Sequence, residues 1–481
     1  MKEITIKQTL NRVADIWEKF EKQVISPRNC THCGLCVGLN PGNIIFNDSD
    51  YGPHPILYKP ENIDLERLSL AWTACPGRGV PYLELDKDIF QTKRHPLMGV
   101  VQDTGIAFSA NTVNRKNAAS GGVITEILIH LLEVGEISGA IVLQQGRENP
   151  EYASPLIATT SKEILKSAQS IYAVTPILNI LPEIKSFNGT LAMVGLPDQI
   201  AAIRMLQATG FEAVQKIKYF IGPYVGTNMY QGAIRSFLKS HGVSNNEKIQ
   251  KISWREGEWP GYLEVKMEDG RVFQAEKFYY NYLIPFFICK SCLITPDFTN
   301  ELTDISVGDA WAPNLESKGE GYSVVITRSS KGKKVIDDMV ENKKIEYDPV
   351  PLEKAMNMHG HMLDLKKRGT FIRLFWQKTK GKPIPYFGYY PANIRFSRKL
   401  VEFVLRCLFT TASSKFSRWL VTLIPQKIIG PLFNILRKSW KHLSKPTKRK
   451  GLRAIQMSAP GMTDRWQEIK KFEQKQGTIH G

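Results

Sequence analysis

Thr190-Leu-Ala-Met-Val194, then Gln199-Ile-Ala-Ala-Ile-Arg-Met-Leu-Gln-Ala208, then Lys216-Ile-Lys-Tyr-Phe-Ile221 is the stretch on which the fold turns. A short apolar run bounded by turn residues reads as a buried strand. The segment after it has helical spacing, and a second apolar run closes the unit. The same alternation extends in both directions. Gly139 to Gln144 and Ser323 to Thr327 read as further strands, and Val123 to Val134 and Ala233 to Ser240 as helices. Strands alternating with helices predict an α/β layer with a largely parallel sheet, within a chain that is α+β overall. Glu264 to Ala275 differs, because Glu268-Asp-Gly270 separates two alternating runs and predicts a hairpin.

Outward from this core, residues 96–345, the composition changes twice. Residues 1–95 open with a charged amphipathic stretch and then become loop-rich. Pro27, Pro41, Gly42, Gly52, Pro53 and Pro55 leave few periodic runs, so this N-terminal domain needs a staple. Residues 346–394 read as a helical arm stopped by Pro383 and Pro385, and 395–481 as a basic amphipathic tail, polar and mobile at its end. The 481 residues carry 64 Lys+Arg and 46 Asp+Glu, a formal net charge of +18. Residues 395–453 hold fifteen of the basic side chains and a single acid, Glu402, so the charge imbalance is local to the tail. Apolar residues at 42% and charged residues at 23% exclude global disorder, and no apolar run is long enough to span a bilayer. The first twenty residues lack the apolar core of a secretory signal, which leads us to expect a cytoplasmic protein.

Chemistry concentrates in the cysteines. Cys30-Thr-His-Cys33-Gly-Leu-Cys36 spaces three thiols three residues apart around Gly34, and Cys75-Pro76 offers a fourth. Three thiolates at this spacing can wrap a 4Fe-4S cubane if the backbone turns tightly, and a Cys-Pro is a form the fourth ligand takes in ferredoxin-like sequences. Zinc with His32, or inert thiols, are the other readings. Cys289-Lys-Ser-Cys292 alone fits a redox dithiol, half a metal site or two buried thiols. Cys407, in the apolar run Phe403 to Phe409, reads as a small hydrophobe. Ser120-Gly121-Gly122 opens a helix and is either a phosphate cradle or an ordinary Ser cap, and Asp309 ends an apolar run as a site carboxylate or a turn residue.

Several of these segments together resemble one family, the beta subunits of coenzyme F-420 hydrogenases and dehydrogenases. The likeness is carried by the cysteine run at 30–36, Ala119-Ser-Gly-Gly-Val-Ile-Thr125, Gly195-Leu-Pro-Asp-Gln-Ile200, Cys289-Lys-Ser-Cys292, Asp304-Ile-Ser-Val-Gly-Asp-Ala-Trp311 and Gly321-Tyr-Ser-Val-Val-Ile-Thr-Arg328, in family order. The resemblance implies an iron–sulfur flavoprotein. A 4Fe-4S cluster would sit on Cys30, Cys33, Cys36 and Cys75, and FAD would contact Ser120, Gly121, Gly122 and Asp309. Cys289 and Cys292 would be remnants or members of a second metal site. Many members carry cysteines at the position of Asp198 and near Ile221-Gly222, and both are missing here.

The implied function is an oxidoreductase that couples two-electron FAD chemistry on an organic acceptor, or on a deazaflavin coenzyme where the host makes one, to one-electron transfer through the cluster. A ferredoxin-like or other redox protein is the implied partner. The rival reading is a non-catalytic or electron-transfer subunit, a scaffold of a membrane-associated assembly acting on surface polysaccharide. No general acid can be named, and His359 and His361 belong to no motif. For the tail, two readings stand: a helical element packed on the body with its basic side in solvent, or peripheral attachment to the inner face of an anionic membrane. Pro425 and Pro431 are expected to break it into short helices, and its wide apolar face argues against nucleic acid.

Overall fold

The computed structural model describes residues 6–47, 52–443 and 451–477. Eight strands form the main sheet: β1 (Asp103–Ser109), β2 (Gly139–Gln145), β3 (Ala153–Ala158), β4 (Leu191–Val194), β5 (Ile217–Pro223), β6 (Ile305–Asp309), β7 (Ser323–Thr327) and β8 (Ile345–Pro349). Their order is β8-β1-β7-β6-β5-β4-β2-β3. Helix α1 (Val123–Glu133) leads from β1 to β2, and α2 (Pro197–Ala208) joins β4 to β5. The α/β class is therefore as expected, and Glu264–Ala275 is a hairpin within a three-stranded antiparallel sheet, Ile249–Glu256, Tyr262–Met267 and Val272–Glu276.

The sheet is less parallel than the alternation predicts. Only the central strands β2, β4, β5 and β6 pair in parallel, with Leu191 opposite Ile217 and Ile305 opposite Ile221. The pairings β6/β7, β7/β1, β1/β8 and β2/β3 are antiparallel. Connection length explains the difference. The links at 146–152 and 310–322 carry at most one helical turn, too little for a crossover that returns a strand in the same direction. Because β1 and β6 both run antiparallel to β7, the ends of β1, β4, β5 and β6 emerge at one edge, where open α/β sheets collect ligands.

The N-terminal segment packs directly on this sheet. Val13, Trp17, Leu68 and Tyr82 share a core with Ile200, Ile203 and Met205 of α2 and with Phe220. In the arm, 345–349 is the edge strand β8, followed by short helices from Leu352 to Lys378. Residues 451–477 pack on the body where the sequence predicts a mobile end, and 478–481 lie outside the described residues. Gln456–Ser458 pairs with Tyr390–Ala392, and the helix Thr463–Gly477 seats a fully buried Ile469 in the main core. Its amphipathy is too weak to read in sequence, since Ile469, with Trp466 and Phe472 partly buried beside it, and ion pairs at Arg465, Glu468 and Lys470 hold it. The tail forms α3 (Phe396–Ala412), α4 (Lys415–Leu423) and α5 (Gln426–Leu443). Pro425 separates two helices as expected, but Pro431 lies inside α5. There the neighbouring Gly430 packs closely on Tyr279, and docking on the body offsets one lost amide hydrogen bond. Lys445, Lys448, Arg449 and Lys450 of the basic stretch lie outside the described residues.

Candidate functional site

Gly34 adopts φ +94°, and a side chain there would collide with Asn179, so the tight turn within the cysteine run rests on a glycine that no other residue could replace. The turn gathers Cys30, Cys33 and Cys36 with Cys75, which precedes a short 3-10 turn at 76–78. Cys33 is buried and the other three are half-buried, and all four are free thiols. They lie close enough for each to feel the others' charge. Burial, followed by the neighbouring sulfurs, raises Cys36, and burial pushes Cys33 up to about 12. Backbone amides of His32, Leu35, Val37 and Gly77 act in the opposite sense and favour the thiolates of Cys30, Cys33, Cys36 and Cys75 in turn. Among the described residues, no three Cys, His, Asp or Glu side chains converge on a single ion. His32, which the zinc reading needs, stacks edge-on to Tyr230, and burial drops its pKa to about 4. The four thiols thus share one buried neighbourhood, each with a backbone amide beside its sulfur.

A cation pair invisible in the sequence closes this region. Arg465 donates to the Cys75 carbonyl at 3.1 Å, and Glu468 bridges Arg465 and Arg78. The C-terminal helix thus covers the N-terminal cysteines from 390 residues away.

A cleft adjoins them, lined by Thr31, Asp198, Asn228, Cys289, Cys292 and Lys366, among others. Asp198 stands at the start of α2, and Cys292 accepts the Asn228 amide at 3.2 Å. Lys366 is buried and donates to the Cys292 carbonyl at 2.6 Å. Burial raises Asp198 to about 7 against the opposing pull of Lys366. At Gly222, a side chain would run into Asn300, whose amide donates to the Gly195 carbonyl at 2.7 Å. Asn300 therefore fills the space a side chain at Gly222 would occupy. Cys289, Cys292 and Asp198 come together as the sequence suggests, yet a lysine occupies the ground between them.

The third group lies along the same sheet edge. Gly122, at φ +76°, caps α1 in place of Ser120, because the Ser120 hydroxyl donates instead to the Tyr322 carbonyl at 2.7 Å. Gly121 donates its amide to Ser323, and a Cβ there would sit 2.7 Å from the Ala107 carbonyl. Its glycine is thus demanded by strand packing, and any anion would meet the first amides of α1. Asp309 ends β6. Arg255, which no sequence motif marks, joins these two places. Its guanidinium donates to the Ala119 carbonyl, to Asp309 at 3.3 Å and to the Tyr172 hydroxyl at 3.1 Å. Burial opposes its charge, but Asp309 and Tyr172 hold its pKa above the usual value. His359 is buried with Nε2 2.7 Å from the Asp309 carbonyl oxygen. The Trp259 and Trp311 rings meet at a 42° tilt with centroids 4.6 Å apart. Tyr172 in turn accepts at its carbonyl from Met229, next to Asn228, so a short bonded route runs from Cys292 to Arg255. Like Arg255, Lys366 and Arg465 belong to no spacing pattern, because all three act through contacts far apart in the chain.

Comparison with known proteins places the chain in a family. Residues 106–182 match the N-terminal part of the coenzyme F420 hydrogenase/dehydrogenase beta subunit family, and residues 189–353 match the C-terminal part of the same family. The chain is 26% identical over 380 residues to the coenzyme F420-dependent sulfite reductase of Methanocaldococcus jannaschii, covering 75% of this chain and 54% of that protein. It thus spans about half the length of that relative. It is 25% identical over 303 residues to the coenzyme F420 hydrogenase subunit beta of Methanothermobacter thermautotrophicus, 60% of this chain and all of that protein. Among solved structures, a chain of the F420-reducing [NiFe] hydrogenase complex from Methanosarcina barkeri aligns at 22% identity, covering 61% of this chain and 98% of that one, with a TM-score of 0.48. With both halves matched in order across the main sheet and its edge, the chain belongs to the coenzyme F420 hydrogenase/dehydrogenase beta subunit family.

Proposed function

We propose that the chain is an iron–sulfur flavoprotein oxidoreductase. Cys30, Cys33, Cys36 and Cys75 hold a 4Fe-4S cluster, and FAD lies against the start of α1 beside Asp309. The observation that carries this reading is the convergence of four thiols, a cleft and the Arg255 clamp along one sheet edge. FAD, when bound, exchanges electron pairs with an organic substrate, and the cluster passes single electrons to a ferredoxin-like partner. The chain's own contribution is positional. Arg255 fixes the 119–122 turn relative to Asp309, and Trp311, two residues after Asp309, pairs with Trp259. Family membership supports a redox role, and the coenzyme named for the relatives makes reduced deazaflavin the first donor to test. One cluster per chain is the reading we adopt, because Lys366 and Asn300 stand where a second would need ligands.

Anaerobic purification tests this. Flavin absorbance, together with iron and sulfide at one cubane per chain, is expected. Arg255→Met should lose most of the flavin and keep the iron. A colourless protein would overturn the proposal, and unchanged flavin in the Arg255 variant would move the flavin site elsewhere.

A further inference from the structure

Helix α3 is turned inside out. The side it presents to the body is ionic: Arg398 pairs with Asp364 at 2.7 Å and with Glu402 at 2.8 Å, and Glu402 also binds Arg373. Glu402 is 0% exposed, and Gly369 leaves room for its carboxylate. The opposite side carries Phe396, at 79% exposure, with Leu400, Phe403, Val404 and Leu408 at helical spacing, and Cys407 is exposed among them instead of packed in a core. A helix that only needed to pack on the body would turn this stripe inward.

The next two helices repeat the pattern in part. Helix α4 is anchored by the buried Val421 and by Arg418, which donates to the Phe286 carbonyl at 2.7 Å, and it turns Phe416, Trp419 and Leu423 outward. Helix α5 packs Ile429, Gly430 and Phe433 on the body and exposes Ile428, Leu432 and Ile435. Thirteen of the twenty-two exposed large apolar side chains among the described residues lie between 396 and 436. Such a concentration marks an interaction surface.

Charge selects the occupant. Lys399, Lys415, Lys427 and Lys438 are exposed among these stripes, and the only acid between 395 and 453, Glu402, is consumed by buried ion pairs. A second copy would bring like charges together. No described helix is long and apolar enough to cross a bilayer. We infer that α3, α4 and α5 dock the protein on an anionic lipid surface, with their apolar stripes at the headgroup boundary and their lysines on the lipid anions. This does not depend on the redox reading, and the ionic seat of α3 leaves the stripe free without opening the fold.

Flotation of the full chain with phosphatidylcholine vesicles, with and without phosphatidylglycerol, tests it. Binding is expected to the anionic vesicles and to weaken with salt. Replacing Leu400, Phe403, Leu420 and Ile435 by Ser should cut partitioning at least tenfold at an unchanged melting temperature, because all four are exposed. Lys415→Glu with Lys427→Glu should lose the anionic preference. Failure of the parent chain to float with anionic vesicles, or equal flotation of the serine variant, would overturn the inference. So would a stoichiometric self-associated or protein-bound species that the serine variant dissolves in the absence of lipid.

Discussion

Two cysteine regions lie side by side at the edge of the sheet, and they handle buried charge differently. In the first, Cys30, Cys33, Cys36 and Cys75 face one another with backbone amides beside their sulfurs. Burial raises all four and so favours the neutral thiols, while the amides favour the thiolates, so charge on these sulfurs needs a compensating cation. In the second, Cys292 lies beside Asp198 with the Lys366 ammonium as its opposing charge, and Arg418 plays that part for Cys289. The difference teaches that a Cys-x-x-Cys pair can be accommodated by side-chain cations, whereas the run at 30–36 is surrounded by backbone amides.

Four variants can break or sharpen that contrast. Cys33→Ser should have the largest effect, removing iron and about 4 kcal/mol or more of stability together, because cluster assembly and local folding are coupled. Full iron content in that protein, measured alongside denaturant unfolding, would break the comparison at its first term. Lys366→Met comes next. It removes a donor to the Cys292 carbonyl and the cation beside Asp198, at an expected ~2–3 kcal/mol, with iron unchanged.

Asp198→Asn acts in the opposite direction and depends on pH. The carboxyl titrates near 4 in an unfolded chain and at about 7 in the folded one. Between those values the unfolded state has released a proton that the folded state keeps, so this residue's contribution to stability falls as pH rises through the window. The Asn variant should match the parent near pH 4 and exceed it by ~2 kcal/mol at pH 7.5, read from urea unfolding at both pH values. Loss of iron in this variant would instead place Asp198 among metal ligands. The smallest change is expected for Cys289→Ser, about 1 kcal/mol for burying a hydroxyl at a 0% exposed position, with iron content again the same. A fall in iron to half would restore a second cluster.

Much of this was legible without coordinates. The strands β2, β4, β5 and β7 and the helices α1 and α2 announce themselves because buried apolar runs and helical spacing are local properties. The cysteine spacing and Gly34 are equally local, and so is the strand-end position of Asp309. Direction of pairing was not legible, since it depends on where each connection returns, and neither was the capping of α1, where Ser120 prefers a carbonyl 202 residues away.

What the sequence by itself determined is therefore the element types, the close spacing of the thiols and the family, all carried by neighbours within a few residues. Only the tertiary structure decided that Arg255 ties the Ala119 turn to Asp309, that Lys366 enters the second cysteine pocket, and that Arg465 covers the first. It also decided that α3 buries Arg398 and Glu402 and shows its apolar stripe. An amphipathic pattern states that a helix has two faces, but which face turns inward depends on what the body offers. Here Asp364 and Arg373 offer ions, and buried ions must be paired.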